Sequence, residues 1–344
     1  MSHARPSALF LAAPLLLALA IPADELEFHP KAGAELKKEL KLTIELKPEK
    51  IDFTVNGESM PPENLGGFGD TAMQVTLAVD VTDKYVQSKE GRPTDLLRTF
   101  DSLALSYEAG EDKGDAPKFD QLEGKTVRFK WNGDSDSYEK SFHESKGDDA
   151  LLEHLSEDMD CRPLLPAKKV SEGDSWELTG DKIQALFLPG GVPGEIASGS
   201  DKDDAKAAFE ELRSALGKFQ EELKVQCKYK GSHEDGGVRV GEVDFTFASK
   251  GKADLSHLIQ TLGAMEESDI HPDVDANADV DLQGSGVLLW DLADGRVHAF
   301  TMHAEAGFDL DVKSSFDIDG ESVQMLIKGR FTGKADWALT TSKP

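Results

Sequence analysis

Cysteine is almost missing from this chain: Cys161 and Cys227 are the only two in 344 residues. Neither stands in a C-x-x-C pair or beside a histidine at metal-ligand spacing, which argues against a zinc site and against thioredoxin-like redox chemistry. Positive charge is the second shortage. With 38 basic against 65 acidic side chains the net charge is −27, a balance unsuited to nucleic acid or to an anionic bilayer surface. Catalytic signatures are missing as well: there is no G-x-S-x-G and no H-E-x-x-H. Gly66-Gly67-Phe68-Gly69 lacks the third glycine and the strand-to-helix setting of a dinucleotide loop. Gly124-Lys125-Thr126 copies the end of a nucleotide-binding loop, but Phe119 stands where the first glycine should be. No cofactor site is read.

After the N-terminus no apolar run is long enough to span a bilayer. The N-terminal run, Ala8 to Ile21, is short for a span, follows Arg5, contains Pro14, and ends at small residues, Ala18-Leu19-Ala20 or Ala23, so an uncleaved anchor is the weaker alternative. It reads as a secretory signal over residues 1–23, cleaved on export. No cysteine follows it, so a bacterial lipoprotein anchor is not supported. In an exported protein Cys161 and Cys227 are candidates for a disulfide, which would contribute roughly 4 kcal/mol in the chain-entropy model; two free buried thiols are the alternative.

What the chain does contain is alternation. Leu40, Leu42, Ile44 and Leu46 alternate with polar residues, as do Met73 to Val81, Leu103 to Tyr107 and Val127 to Trp131, the period-two pattern of half-buried strands. Ile51, Phe53 and Val55 resume after Pro48 in the opposite parity, so the strand bends or turns there. Asp148 to Met159 switches to helical spacing, with Leu151, Leu152, Leu155 and Met159 on one face and Asp148 or Asp149 as cap. A longer helix is expected where Ala205, Phe209, Leu212, Leu216, Phe219 and Leu223 form one stripe, with Asp201, Asp203 and Asp204 at its N-terminal end. A short helix around Leu255, Leu258, Ile259 and Leu262 is also expected.

From Gly286 to Leu339 the pattern predicts about four antiparallel strands turned at Asp294-Gly295 and Asp319-Gly320. The second turn sets a register: Phe316 opposite Val323, Val312 opposite Ile327, Leu310 opposite Gly329 and Phe308 opposite Phe331 on one face. The other face then pairs Asp311 with Lys328 and Asp309 with Arg330. The first turn would set His298 opposite Asp291, two thirds of a hydrolytic triad, with Ser285 too far along the strand to complete it. His298 and His303 have opposite parity and cannot share a metal. Asp273, Asp275, Asn277, Asp279 and Asp281 look like a calcium loop, but Ala278 and Gly284 occupy the positions that require glycine and glutamate. They read instead as the solvent face of a strand.

The segment Leu164-Leu165-Pro166-Ala167-Lys168-Lys169-Val170-Ser171-Glu172-Gly173-Asp174-Ser175-Trp176 resembles an element that recurs in uncharacterised exported bacterial β-rich proteins. The resemblance covers about a dozen residues and implies export and a β-rich fold, with no activity. At the level of fold alone, a curved sheet with a helix across its mouth resembles the half-barrels of periplasmic lipoprotein carriers.

The expected fold is therefore α+β, mainly antiparallel: a curved meander or half-barrel covered by a long helix. A signal (1–23) precedes an N-terminal β lobe (24–165) and a C-terminal lobe (166–344), which could form one continuous domain. The expected function is a non-enzymatic exported protein, periplasmic or extracellular, that binds an apolar ligand or lipidated partner on the concave face. The alternatives are a structural or interaction protein of the envelope with no pocket, and a secreted hydrolase.

Overall fold

The structure is a computed structural model and describes residues 23–61, 71–110, 112–115, 121–179, 183–192, 223–257, 259–260, 273–318 and 321–344. Its strands are β1 (Ala34–Val55), β2 (Glu58–Met60), β3 (Met73–Lys89), β4 (Arg92–Ala109), β5 (Asp112–Asp115), β6 (Thr126–Asn132) and β7 (Ser137–His143). After the intervening loops come β8 (Ser175–Thr179), β9 (Lys224–Asp235), β10 (Val238–Asp254), β11 (Asp273–Asp291), β12 (Arg296–Ile318) and β13 (Glu321–Ser342).

All thirteen belong to one antiparallel sheet. Eleven follow one another in the order β7-β6-β4-β3-β1-β13-β12-β11-β10-β9-β8, with β2 beside β1 and β5 beside β4. The first long strand, β1, is hydrogen-bonded to β3 on one side and to the last strand, β13, on the other. Among the described residues the path has two ends and does not close.

The α+β class with a covering long helix is corrected by this architecture. Among the described residues the helical pieces are short: Asp149–Leu152, Arg162–Leu164 and Gln184–Phe187 besides a turn after Leu255, and none lies across the sheet as a long helix. The stripe from Ala205 lies outside the described residues as far as Phe219, and Leu223 is buried immediately before β9. The helical spacing of Asp148 to Met159 yields one 3-10 turn, capped by Asp148 through the Ala150 N–H at 3.0 Å. Of the short helix expected around Leu255 to Leu262, Ile259 donates to the Leu255 carbonyl and residues 261–272 lie outside the described ones.

Alternation explains the sheet. Pro48 does not end β1. The register shifts between Pro48 and Lys50 and the strand continues, so Ile51, Phe53 and Val55 stay on the face of Leu40 and Leu42 despite the change of parity. The register expected for β12 and β13 is observed at every pair named, and Arg330 and Lys328 meet Asp309 and Asp311 at 2.7 and 3.3 Å. The Asp319-Gly320 turn itself lies outside the described residues. At the other hairpin the expected pairing is corrected: Asp291 pairs with Arg296 around a four-residue loop, and a register shift follows between Leu289 and Trp290. The Asp291 carboxylate, accepting from the N–H groups of Ala293 and Asp294, holds that wider loop.

The sheet curls. Phe28 lies 5.8 Å from the Tyr85 ring of β3 and 6.5 Å from the Trp290 ring of β11. Those strands are four places apart and would stand about 19 Å apart in a flat sheet. Phe187 likewise touches Phe247 of β10 and Trp337 of β13, at 5.5 and 5.9 Å. Small inward residues permit the curl: Phe245 and Phe247 lie opposite Gly286 and Gly284, where a Cβ would fall 2.3 and 2.2 Å from the ring tips.

Candidate functional site

The concave face is a trough about 75 Å long, the length of the 22- and 23-residue strands β1, β12 and β13. Its halves differ. One is filled by the chain itself: the strap from Asp24 to His29 and a segment made of 149–165 and 183–192 lie on it. The strap is tied by the Asp24 bridge to Val170, by the Tyr229 hydroxyl donating to Asp24 at 2.7 Å, and by the His29 N–H donating to the Gly295 carbonyl. The segment is tied by the Trp337 indole N–H donating to the Phe187 carbonyl at 2.8 Å. Between Phe187–Gly191 and the floor formed by Leu40, Leu42, Val79 and Phe100 a space of about 20 Å³ remains, little more than one water and apolar on its floor.

The other half continues the same apolar floor. Tyr107, Val75, Ile44, Ala335 and Ala304 form one cross-strand row just beyond the filled half. In that row Ile44 and Tyr107 are 42 and 45% exposed, although in the row toward the filled half Leu42 is buried and Leu105 partly buried. Gly333 and Ala306 face each other in the next row, so the middle of the floor is set low by missing side chains.

Charges interrupt the filled half at one place. Lys38, Asp83 and Arg98 sit on β1, β3 and β4 at positions where the alternation puts side chains inward, and each is 0% exposed. Arg98 grips Asp83 in a two-pronged pair, Nε to Oδ1 at 2.7 Å and Nη2 to Oδ2 at 2.9 Å. Two further N–H groups donate to the carbonyls of Ser156 and Glu157, at 2.8 and 2.9 Å. Asp160 comes down from the segment onto Lys38 Nζ at 3.0 Å, and the Tyr85 hydroxyl donates to it at 2.9 Å. Lys38 also lies 3.0 Å from Asp83. Both carboxylates approach the ammonium off the direct line of a hydrogen bond, so these contacts are ionic in character.

The titration of the cluster follows from that packing. Burial by itself would raise Asp83, but the charges of Arg98 and Lys38, with the hydrogen bonds from Arg98, outweigh it and hold the carboxyl below its ordinary value. Burial, reinforced by Asp160 and Asp83, pushes the Tyr85 hydroxyl well up, so it remains a donor. Burial would lower Arg98, and Asp83 more than reverses it.

The residues singled out by sequence are not brought together. Cys161 follows Asp160 in the segment and Cys227 is on β9; both are buried free thiols. His298 meets Asp235 at 2.9 Å instead of Asp291. On the outer face Ser285, His303 and Asp336 stand in one cross-strand row, with His303 Nδ1 2.8 Å from Asp336 and Nε2 3.6 Å from Glu305. The Asp336 contact raises His303. The acidic row of β11 is exposed and flanked by lysines: Lys250 reaches Asp281, Lys252 reaches Asp279 and Lys313 reaches Asp275. Among the described residues no group of three or more His, Cys, Asp or Glu is placed to hold a metal ion, and no helix is long and apolar enough to cross a membrane.

Sequence reasoning missed the buried cluster, although a signal was there. Lys38 shares the parity of Leu40, Asp83 that of Val81, and Arg98 that of Leu96 and Phe100: three charges at apolar positions on neighbouring strands.

No protein-family model and no curated protein matches this chain. Two solved structures align along most of it, both of outer membrane proteins. OprG of Pseudomonas aeruginosa is 9% identical, with 92% of this chain and 99% of that one covered, at a TM-score of 0.21. A loop-deletion mutant of OmpT of Vibrio cholerae is 10% identical, with 89% and 100% covered, at 0.11. At such TM-scores neither likeness bears on fold, function or location.

Proposed function

We propose that this chain is an exported, non-enzymatic protein of the cell envelope that carries one apolar chain, a lipid or a lipidated partner, along the open half of its trough. The observation that supports this most directly is the row containing Ile44 and Tyr107. The apolar floor runs past the part that the described residues cover, and the large apolar side chains of Ile44 and Tyr107 are exposed there. A concave, mostly apolar surface with few polar groups is the usual form of a lipid or small-molecule site. The ion pairs of the outer face, with a net charge of −27, keep the other side of the sheet soluble.

A second reading, an envelope protein with a filled core and no ligand, rests on a different observation: only about 20 Å³ is left beneath Phe187–Gly191. Native mass spectrometry of the protein purified without detergent from an exporting host separates the two. Adduct mass that dissociates as lipid is expected. A bare monomer that also takes up no added amphiphile would overturn the carrier reading in favour of the filled core.

A further inference from the structure

The buried cluster divides unequally between the sheet and the segment lying on it. The sheet supplies two cations and one anion, Lys38, Arg98 and Asp83; the segment supplies one anion, Asp160. Arg98 occupies both oxygens of Asp83 and closes a neutral pair. What remains on the floor is one ammonium, Lys38, 3.0 Å from the Asp160 carboxylate, and one hydroxyl, Tyr85, that donates to it at 2.9 Å.

Next to Asp160 the segment lays Met159, 1% exposed, against the floor beside Leu40 and Leu42. A carboxylate followed by an apolar chain is the outline of a fatty acid. The inward positions of β1 run Lys38, Leu40, Leu42, Ile44, so the same line leads from the ammonium to the open half of the trough. The segment also makes a turn that a side-chain-bearing residue adopts reluctantly: Cys161, immediately after Asp160, has φ 52° and ψ 35°.

We propose that Lys38 and Tyr85 form a head-group site for a single-chain amphiphile with a carboxylate head, and that Asp160 and Met159 occupy this site as an internal stand-in for the ligand. The proposal rests on the carrier reading and adds the class of its cargo. An incoming carboxylate takes the place of Asp160 on Lys38 and Tyr85, its chain takes the place of Met159 and continues along Leu42 and Ile44, and the segment lifts away there. Arg98 remains neutralised by Asp83 throughout, so the exchange leaves no uncompensated charge in the floor. Asp160, released, returns to water. The cargo competes with the protein's own side chain, so its apparent affinity falls by the fraction of molecules in which the site is occupied by Asp160.

The test uses dodecanoate and the neutral dodecanol as probes, with binding followed by native mass spectrometry and by displacement of a fluorescent fatty-acid analogue. Three proteins are compared: wild type, Asp160→Asn, and Lys38→Met combined with Asp160→Asn. The double variant removes one charge of each sign and leaves the Asp83–Arg98 pair intact, so it folds even if the single variant is weakened. Asp160→Asn is expected to bind dodecanoate at least about tenfold more tightly than wild type, with dodecanol little changed. The double variant is expected to lose the preference for dodecanoate over dodecanol.

Equal dodecanoate affinity in wild type and Asp160→Asn, or a preference that survives in the double variant, would overturn the head-group site. Dodecanol binding with no preference for the acid in any of the three leaves the carrier reading standing and removes this one. Failure of both probes with all three proteins removes both.

Discussion

Arg98 is the residue on which most of the filled half depends. Four hydrogen bonds tie it to Asp83 on one side and to two carbonyls of the overlying segment on the other, with its guanidinium 5.3 Å above the ring of Phe129. Removing one partner of a buried pair is costly because the other is left charged and desolvated. Arg98→Met is therefore expected to lower stability by about 3–5 kcal/mol, read from urea unfolding. A loss within the range of ordinary surface substitutions would show that the cluster is not sealed. The acid limb follows the same residue. The folded-state value of Asp83 lies below the ordinary 3.8, so its stabilisation is complete above that value and is lost as pH falls through the depressed one. Three of the four charges announced themselves by parity in the sequence. Asp160 did not, because it belongs to an irregular segment with no period to violate.

At the scale of the strand pair, the β12–β13 register was legible because two features demanded it together. Apolar residues matched on one face and opposite charges on the other, and a slip of one residue would lose both. The hairpin at Asp294-Gly295 misled for a local reason: the Asp291 side chain accepts from the loop's own N–H groups, which favours a four-residue loop and moves His298 away from Asp291. β11 carries the sharpest element-scale expectation. A Cβ at Gly286 would stand 2.3 Å from the Thr301 carbonyl oxygen, which is backbone and cannot rotate aside. Gly286→Val is expected to cost about 1–3 kcal/mol or more by chemical denaturation. Gly307→Thr, at a position where nothing lies within 4 Å, should stay within about 0.5 kcal/mol of wild type.

For the whole molecule, the two thiols report on how the chain closes over its trough. Burial pushes Cys161 well up, with Asp158 and Asp160 adding to it, and burial alone pushes Cys227 up to about 12. Both should therefore be silent toward a thiol reagent at neutral pH in the native protein and should titrate together as two thiols in denaturant. Reaction of one thiol in the native state would show that its cover opens, and no free thiols in denaturant would show a bridge.

The identity and inward face of the strands that alternate clearly, the β12–β13 register and its paired outer charges follow from the sequence by itself, because alternation and cross-strand matching are local rules. That one sheet runs from β7 to β8 with the chain's first and last strands side by side, that it curls until Phe28 touches strands four apart, and that Asp160 lands on Lys38 were decided only by the tertiary structure. Those contacts join residues distant in the chain, some from segments without periodicity, and only curvature and closure bring such residues into reach.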